Sequence, residues 1–458
     1  MKVVICGAGQ VGTGIASQLA KERNDVTVID NSPELISRIE SNLDVTAVLG
    51  HGSHPDVLEK ANIREADMLI AVTYADEVNM IACQMAHSLF DVPTKIARVR
   101  NQSYLQPEWQ NLYTRENMPI DVIISPELEV GRTIMTRLSL HGAFESIAFA
   151  DGKVNLTGIS MGEDCPLIDT PLRQLTGLFP NLEAIVVGVS RNGDFFVPKA
   201  TDHLLVGDDV YLVISSEDLR RTLDIFGYGE KKNRRVVIVG GGNIGLYVAE
   251  QLEREHPDMR IKIIEANRER AMHIASRLKR TLVLHGDALS PELLREAGIA
   301  NSETILALSN DDQVNLLAAV LGKQEGAQRS MCLVNNHDYR HLAHSFGVDV
   351  YINPRATTVS SVLQHVRRGR VKGLYSLHDG AAEVIDAEAL QTSPLLGQPL
   401  REASLPDGII IGAVVRDGEV LKPHGDTRIL AGDRIIVLAR ADQLRSAEQL
   451  FRVSAGFF

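Results

Sequence analysis

KVVICGAGQVG at residues 2–12 and RVVIVGGGNIG at residues 235–245 decide the fold. Each is a short apolar β run followed by glycines in the order G-x-G-x-x-G. These are Gly7, Gly9 and Gly12 in the first stretch, and Gly240, Gly242 and Gly245 in the second. An amphipathic helical pattern follows, VGTGIASQLAKE in the first case. In that setting the first glycine permits a tight turn. The second lets the backbone approach a pyrophosphate, and the third lets helix and strand pack closely. Free N–H groups at the helix start then face the phosphates. Asp30 closes VTVID, 18 residues after Gly12, and Glu265 closes IKIIE. A carboxylate there accepts hydrogen bonds from ribose hydroxyls and repels a 2′-phosphate. The expected ligand is therefore NAD(H), or an adenine nucleotide with a free ribose.

The likeness between the stretches continues far beyond the glycines. His51-Gly52-Ser53 is matched by His285-Gly286-Asp287. DVLEKANIREADMLIAVTYADEVN (56–79) is matched by ELLREAGIANSETILALSNDDQVN (292–315), and VIISPE (122–127) by VYINPR (350–355). Arg191-Asn192-Gly193-Asp194 aligns with Arg416-Asp417-Gly418-Glu419, the Asn-Gly and Asp-Gly pairs reading as tight hairpin turns. Gly207-Asp208 and Gly432-Asp433 each precede what reads as an alternating apolar strand. A period this long, kept in order and spacing, marks a duplication. The fold class is α/β: two Rossmann-like doubly wound parallel-sheet lobes, each followed by a small β-rich α+β lobe. The lobes are expected at 1–123, 140–226, 233–350 and 370–455. GYGEKKNRR (227–235) reads as the linker between copies. Its basic run, Lys231, Lys232, Arg234 and Arg235, is a solvated linker or a contact for acidic lipid or a partner.

Composition narrows the function. A net charge of −12 argues against non-specific binding to nucleic acid. Four cysteines, Cys6, Cys83, Cys165 and Cys332, include no C-x-x-C pair. Cys6 and Cys332 sit in apolar runs and read as reduced core residues. No apolar window is long enough to span a bilayer. MKVVICGAGQ enters the first strand without a signal-peptide pattern, so a cytoplasmic location is expected.

Ligand contacts in doubly wound sheets gather at the carboxyl ends of the strands. Those ends carry Ser53 and Asp287, Thr73-Tyr74 and Ser309-Asn310, and Arg98 in KIARVR. Arg98 is a candidate phosphate partner; its counterpart, Leu333, leaves anion binding by the second copy open. Glu127, in SPELE, is either a cation ligand at a domain junction or a surface or helix-start carboxylate; its counterpart is Arg355. His337, His341 and His344 fall at helical spacing and read as a polar face rather than metal ligands. No P-loop and no His–Asp or Tyr–Lys pair is visible. Three readings stand at this point: a nucleotide-responsive regulator, an NAD-dependent oxidoreductase with an unrecognised substrate lobe, and an NAD-responsive transcription factor. The acidic charge counts against the last.

The order GxGxxG, strand-end acid, H-G-S/D, A-V-T-x-x-D-x-x-N, then a small β lobe resembles the RCK (or KTN) regulators of potassium channels and transporters. The resemblance covers essentially the whole chain. It implies a non-enzymatic protein that binds NAD or NADH, with ATP and ADP as further ligands. It implies a ring, here a homotetramer because each chain carries two copies. That ring would sit on the cytoplasmic face of the inner membrane, on an integral membrane potassium transporter subunit. Carried onto this sequence, the nucleotide residues are Gly7, Ala8, Gly9, Gln10, Val11, Asp30, Thr73, Tyr74 and Arg98. In the second copy they are Gly240, Gly241, Gly242, Asn243, Ile244 and Glu265. No metal ligands are assigned.

Overall fold

A computed structural model describes residues 1–22, 24–140, 142–179, 182–229, 234–336, 339–366, 371–377, 380–403 and 405–450. The first copy begins with strands β1 (Lys2–Cys6), β2 (Asp25–Asp30), β3 (Thr46–Leu49), β4 (Met68–Ala71), β5 (Thr94–Arg98) and β6 (Val122–Ile124). Helices α1 (Gln10–Lys21), α2 (Pro33–Asn42), α3 (Pro55–Lys60), α4 (Asp76–Phe90) and α5 (Pro126–Ser139) connect or follow them. The strands form a parallel sheet in the order β3-β2-β1-β4-β5-β6. Helices on both faces explain why Val3 to Cys6 and Met68 to Ala71 are buried without alternation. Helix starts follow local chemistry. At α2 the Ser32 hydroxyl accepts from the Leu35 amide, and Pro33 takes the first helical position, where its missing N–H costs nothing.

The first small lobe contains β7 (Ala143–Phe149), β8 (Val154–Ser160), α6 (Leu172–Leu178), β9 (Ala184–Arg191), β10 (Asp194–Phe196), β11 (Asp209–Ser215) and α7 (Leu219–Ile225). Its antiparallel sheet runs β10-β9-β11-β8-β7. The second copy repeats the plan. Its Rossmann strands are β12 (Arg235–Val239), β13 (Arg260–Glu265), β14 (Leu282–His285), β15 (Thr304–Ala307), β16 (Arg329–Leu333) and β17 (Val350–Ile352), in the equivalent order. Its helices are α8 (Asn243–Glu255), α9 (Arg268–Arg277), α10 (Pro291–Glu296), α11 (Asp312–Gln324), α12 (Tyr339–Ser345) and α13 (Pro354–Val366). The second small lobe has β18 (Val371–Leu377), β19 (Ala382–Glu388), β20 (Ile409–Arg416), β21 (Glu419–Leu421), β22 (Arg434–Arg440) and α14 (Leu444–Gln449), in the sheet order β18-β19-β22-β20-β21. The hairpin turns fall where the sequence places them: Asn192, Gly193, Asp417 and Gly418 all have positive φ.

Like packs with like. Residues 1–135 and 233–366 form one compact unit, the two Rossmann lobes; residues 136–232 and 367–458 form the other. Within the Rossmann unit, Val362, Leu363 and Val366 of α13 are buried in the first copy's core beside Ile5, Ile15 and Leu19. Within the small-lobe unit, β11 departs from the expected alternation and is buried on both faces. Val210, Leu212 and Ile214 fill their own lobe's core, whereas Tyr211 and Val213 pack with Val384, Ala413 and Leu438 of the second small lobe. Lys231 and Lys232 of the linker and His337 lie outside the described residues, as do the side chains of His341 and His344.

Candidate nucleotide site

The glycine loop of the first copy takes the shape its sequence requires. Gly7 has φ +113°, and a Cβ there would lie 3.0 Å from the Thr73 nitrogen. A Cβ on Gly12 would lie 1.8 Å from the Gly7 carbonyl oxygen. Gly9, the N-cap of α1, faces open space. Asp30 is fixed by the loop itself: the Ala8 amide donates to its Oδ2 at 2.6 Å and the Ser32 amide to its Oδ1 at 2.9 Å.

These groups open on a cavity of about 600 Å³ at the carboxyl ends of the strands, the size of a small-molecule site. Gly7, Gly9, Gln10, Val11, Asp30, Thr73, Tyr74 and Arg98 line it, so eight of the nine residues expected in the first copy converge. Ala8 is the exception: it is buried, and its amide is committed to Asp30. Ser53 is not in the lining either. His51 and Gly52 are, and Ser53 Oγ lies 2.9 Å from His51 Nδ1.

Arg98 is half-buried, and its Nε has no hydrogen-bond partner. Burial, then the neighbouring Arg100, push the Arg98 guanidinium below its ordinary range. An anion in the cavity would act the other way and favour the charged form. Arg100 stacks over the Tyr74 ring, 5.1 Å from its centroid, and donates from Nε to Glu127 Oε1 at 3.1 Å. Tyr74 is 84% exposed. Glu127 stands in the first turn of α5, as the helix-start reading has it, but it is buried rather than at the surface because Arg100 neutralises it. No group of three or more His, Cys, Asp or Glu suited to a metal occurs among the described residues.

Two supporting residues escaped attention in the sequence, although the repeated D-x-x-N carries both. Asn79 is fully buried; its Oδ1 accepts from the Thr73 amide and hydroxyl, and its Nδ2 donates to the Thr73 and Arg98 carbonyls. It clasps the ends of β4 and β5 together under the cavity. Asp76 accepts from the Arg100 and Asn101 amides. Asn315 and Asp312 repeat these roles in the second copy.

The second glycine loop is built alike. Gly240 has φ +92°, and a Cβ on Gly245 would lie 2.0 Å from the Gly240 oxygen. The Gly241 and Asn267 amides donate to Glu265 at 2.7 and 2.8 Å. The surroundings differ. Arg270, where the first copy has Leu35, donates from Nε to the Gly241 carbonyl at 2.8 Å and from Nη2 to Asn243 Oδ1 at 3.4 Å. Ile244 follows at the start of α8. Leu333 is buried in place of an arginine, and Asp287 is exposed, with Oδ1 accepting from the Leu289 amide.

A duplicated Rossmann lobe with a glycine loop and strand-end acid, each paired with a small antiparallel lobe, has the architecture of a tandem RCK regulatory protein. The family model described as the TrkA-N domain matches residues 3–126 and 236–354, and the TrkA-C domain matches 156–227 and 387–452. The chain is 57% identical to the Trk system potassium uptake protein TrkA of Azorhizobium caulinodans and 41% identical to that of Halomonas elongata, in each case over the whole of both chains. The crystal structure of the GsuK RCK domain shares the fold, with a TM-score of 0.60 at 17% identity over 98% of this chain and 94% of that one. The GsuK channel bound to NAD is similar to the same degree, covering 98% of this chain and 78% of that one. The chain belongs to the TrkA family of Trk-system potassium uptake proteins. That membership sets the oxidoreductase reading aside: the chain is a regulatory subunit and not an enzyme.

Proposed function

We propose that this chain is the peripheral subunit that gates a potassium transporter from the cytoplasmic face, under control of a nucleotide bound in its first Rossmann lobe. The observation that carries the reading is the first-copy cavity, where an open glycine loop, a fixed carboxylate and the unpaired Arg98 face one space. That set suits a nucleotide with a free ribose and a diphosphate: NAD(H) first, with ADP and ATP as competitors. The curated relatives are named for potassium uptake, and a protein of the same fold has been solved with NAD. No described helix is long and apolar enough to cross a membrane, and this reading assigns the ion pathway to a separate membrane subunit. The functional lobes are 1–123, 140–226, 233–350 and 370–455, and four chains close a ring. A ligand shifts such a ring only by its differential affinity for two states; a coupling of about 1–3 kcal/mol changes their ratio roughly 5- to 150-fold.

The test is potassium or rubidium uptake at low external potassium, in cells lacking the protein and in cells given it back. Uptake is expected to collapse and return. Asp30→Arg places a cation where the ribose carboxylate stands, and it is expected to abolish NADH binding and the nucleotide response. Unchanged uptake in the deleted strain, with other potassium systems removed, would end the transport reading. Unchanged NADH affinity would end the site assignment.

A further inference from the structure

The cavity of the first copy is not built from the first copy alone. Asn335, Pro354, Arg355 and Thr358 of the second copy also line it. Three of these stand on α13, which packs across α1. A Cβ placed on Gly14 of α1 would lie 3.0 Å from Val359 Cγ2 and 3.7 Å from both Nε and Nη2 of Arg355. The absence of a side chain at Gly14 therefore lets the Arg355 guanidinium lie along the helix that carries the glycine loop. The Arg355 side chain makes no hydrogen bond or ion pair with another described residue. The cavity thus gathers arginines from both copies, Arg98 and Arg355, and among the described residues no carboxylate pairs with Arg355. Such an arrangement favours a polyanion over water.

The pseudo-symmetric location argues the same way by contrast. There the counterpart of Gly14 is Tyr247, which sits over Gly131 of α5, the counterpart of Val359. The counterpart of Arg355 is Glu127, already paired with Arg100, and that of Arg98 is Leu333. One site receives two arginines and the other a carboxylate and a leucine. At these two positions the first cavity therefore holds arginines that the pseudo-symmetric location lacks.

We propose that Arg355, carried by the second copy, is a phosphate contact for a nucleotide held on the first copy's glycine loop, so that the bound diphosphate bridges the two Rossmann lobes. This rests on the reading that the first lobe binds a nucleotide. Bridging gives the ligand a mechanical consequence: occupancy tightens α13 against α1, and the packing of the lobes reports the state of the site.

The experiment is calorimetric titration of the full chain with NADH, ADP and adenosine. Arg355→Gln is expected to weaken NADH and ADP about 10- to 100-fold, the effect of one charge-assisted contact, and to leave adenosine unchanged. Arg355→Lys, which keeps the charge, is expected to recover part of the loss. In an Asp30→Arg background Arg355→Gln should add nothing, because the site is already empty. Undiminished NADH and ADP binding by Arg355→Gln, with Asp30→Arg still defective, overturns the inference and leaves the first site standing. Equal loss of adenosine also overturns it, since Arg355 would then act only through lobe packing. A wild-type chain that binds none of the three overturns both.

Discussion

Residues that look interchangeable in the glycine loop have separable duties. Gly12 is a packing residue: a methyl group would collide with the Gly7 carbonyl, backbone against backbone. Gly12→Ala is expected to destabilise the Rossmann unit by about 1–3 kcal/mol or more, seen as a lower denaturant midpoint. Gly9 faces open space, so Gly9→Ala should change stability by no more than about 1 kcal/mol, the cost of a poorer helix N-cap. It should nevertheless weaken NADH by obstructing the approach of the pyrophosphate. Equal effects of the two on stability would contradict this division. In the small lobes Arg191 holds Asp208 in a bidentate pair at 2.8 and 2.7 Å, and Arg416 holds Asp433 identically. Burial pushes the Asp208 carboxyl up, but Arg191 and the Leu205 amide outweigh it and hold it below the usual range. A lowered folded value means that the pair contributes stability above the ordinary aspartate pKa of about 3.9 and loses it as pH falls through the folded value. Between pH 7 and pH 3 the small-lobe unit is expected to lose stability, and an Asp208→Asn chain, less stable at neutral pH, should show a flatter profile. Both motifs were visible in the sequence as repeated turns. That their arginine and aspartate meet was not, because pairing across a sheet depends on register rather than spacing.

At the scale of elements, the glycine loops, the order of strands and helices and the hairpins were legible because each rests on local chemistry: steric freedom at Gly7 and Gly240, caps at Ser32 and Ser290, positive φ at Asn192 and Asp417. The site was legible where a residue belongs to a strand end of its own sheet, as Asp30, Thr73 and Arg98 do. What α13 does was not legible, since nothing in VYINPRATTVSSVLQHV states that its apolar face belongs to the other copy's core. The same limit hid the double-sided burial of β11, whose second face is covered by a lobe some 200 residues away in sequence. Leu363→Ala removes a side chain buried beside Ile15 and Leu19. It is expected to cost about 2–5 kcal/mol and, because it lies on the helix that presents Arg355, to weaken NADH as well. Loss of stability without any loss of affinity would show that α13 is only a packing element. The buried thiols give an independent gauge of the same packing: burial pushes Cys6 and Cys332 each up to about 12, with acidic neighbours adding to it. Thiol reagents at pH 8 should therefore label neither until the Rossmann unit unfolds.

At the scale of the molecule, duplication has produced like folds with unlike sites, and this has a measurable stoichiometry. Both copies keep the glycines and the strand-end acid, because those residues also hold the fold: Gly245 packs against its own loop, and Glu265 ties the Gly241 and Asn267 amides. Intact motifs are thus weaker testimony to occupancy than they look in the sequence. The surroundings separate the copies. The first opens a cavity with two arginines whose side chains pair with no described residue, whereas in the second Arg270 already engages the loop and Leu333 replaces the strand-end arginine. One tight NADH per chain is the expected result, abolished by Asp30→Arg and retained by Glu265→Arg. Thermal unfolding sharpens the count. A ligand at 100 times its dissociation constant adds about 2.7 kcal/mol for each site it fills in the folded state. A single occupied site therefore predicts half the gain of two, and that gain should vanish with Asp30→Arg. Two equivalent sites by titration would abolish the asymmetry drawn from Arg98 and Arg355, and a gain that survives Asp30→Arg and disappears with Glu265→Arg would reverse it, placing the responsive nucleotide in the second copy.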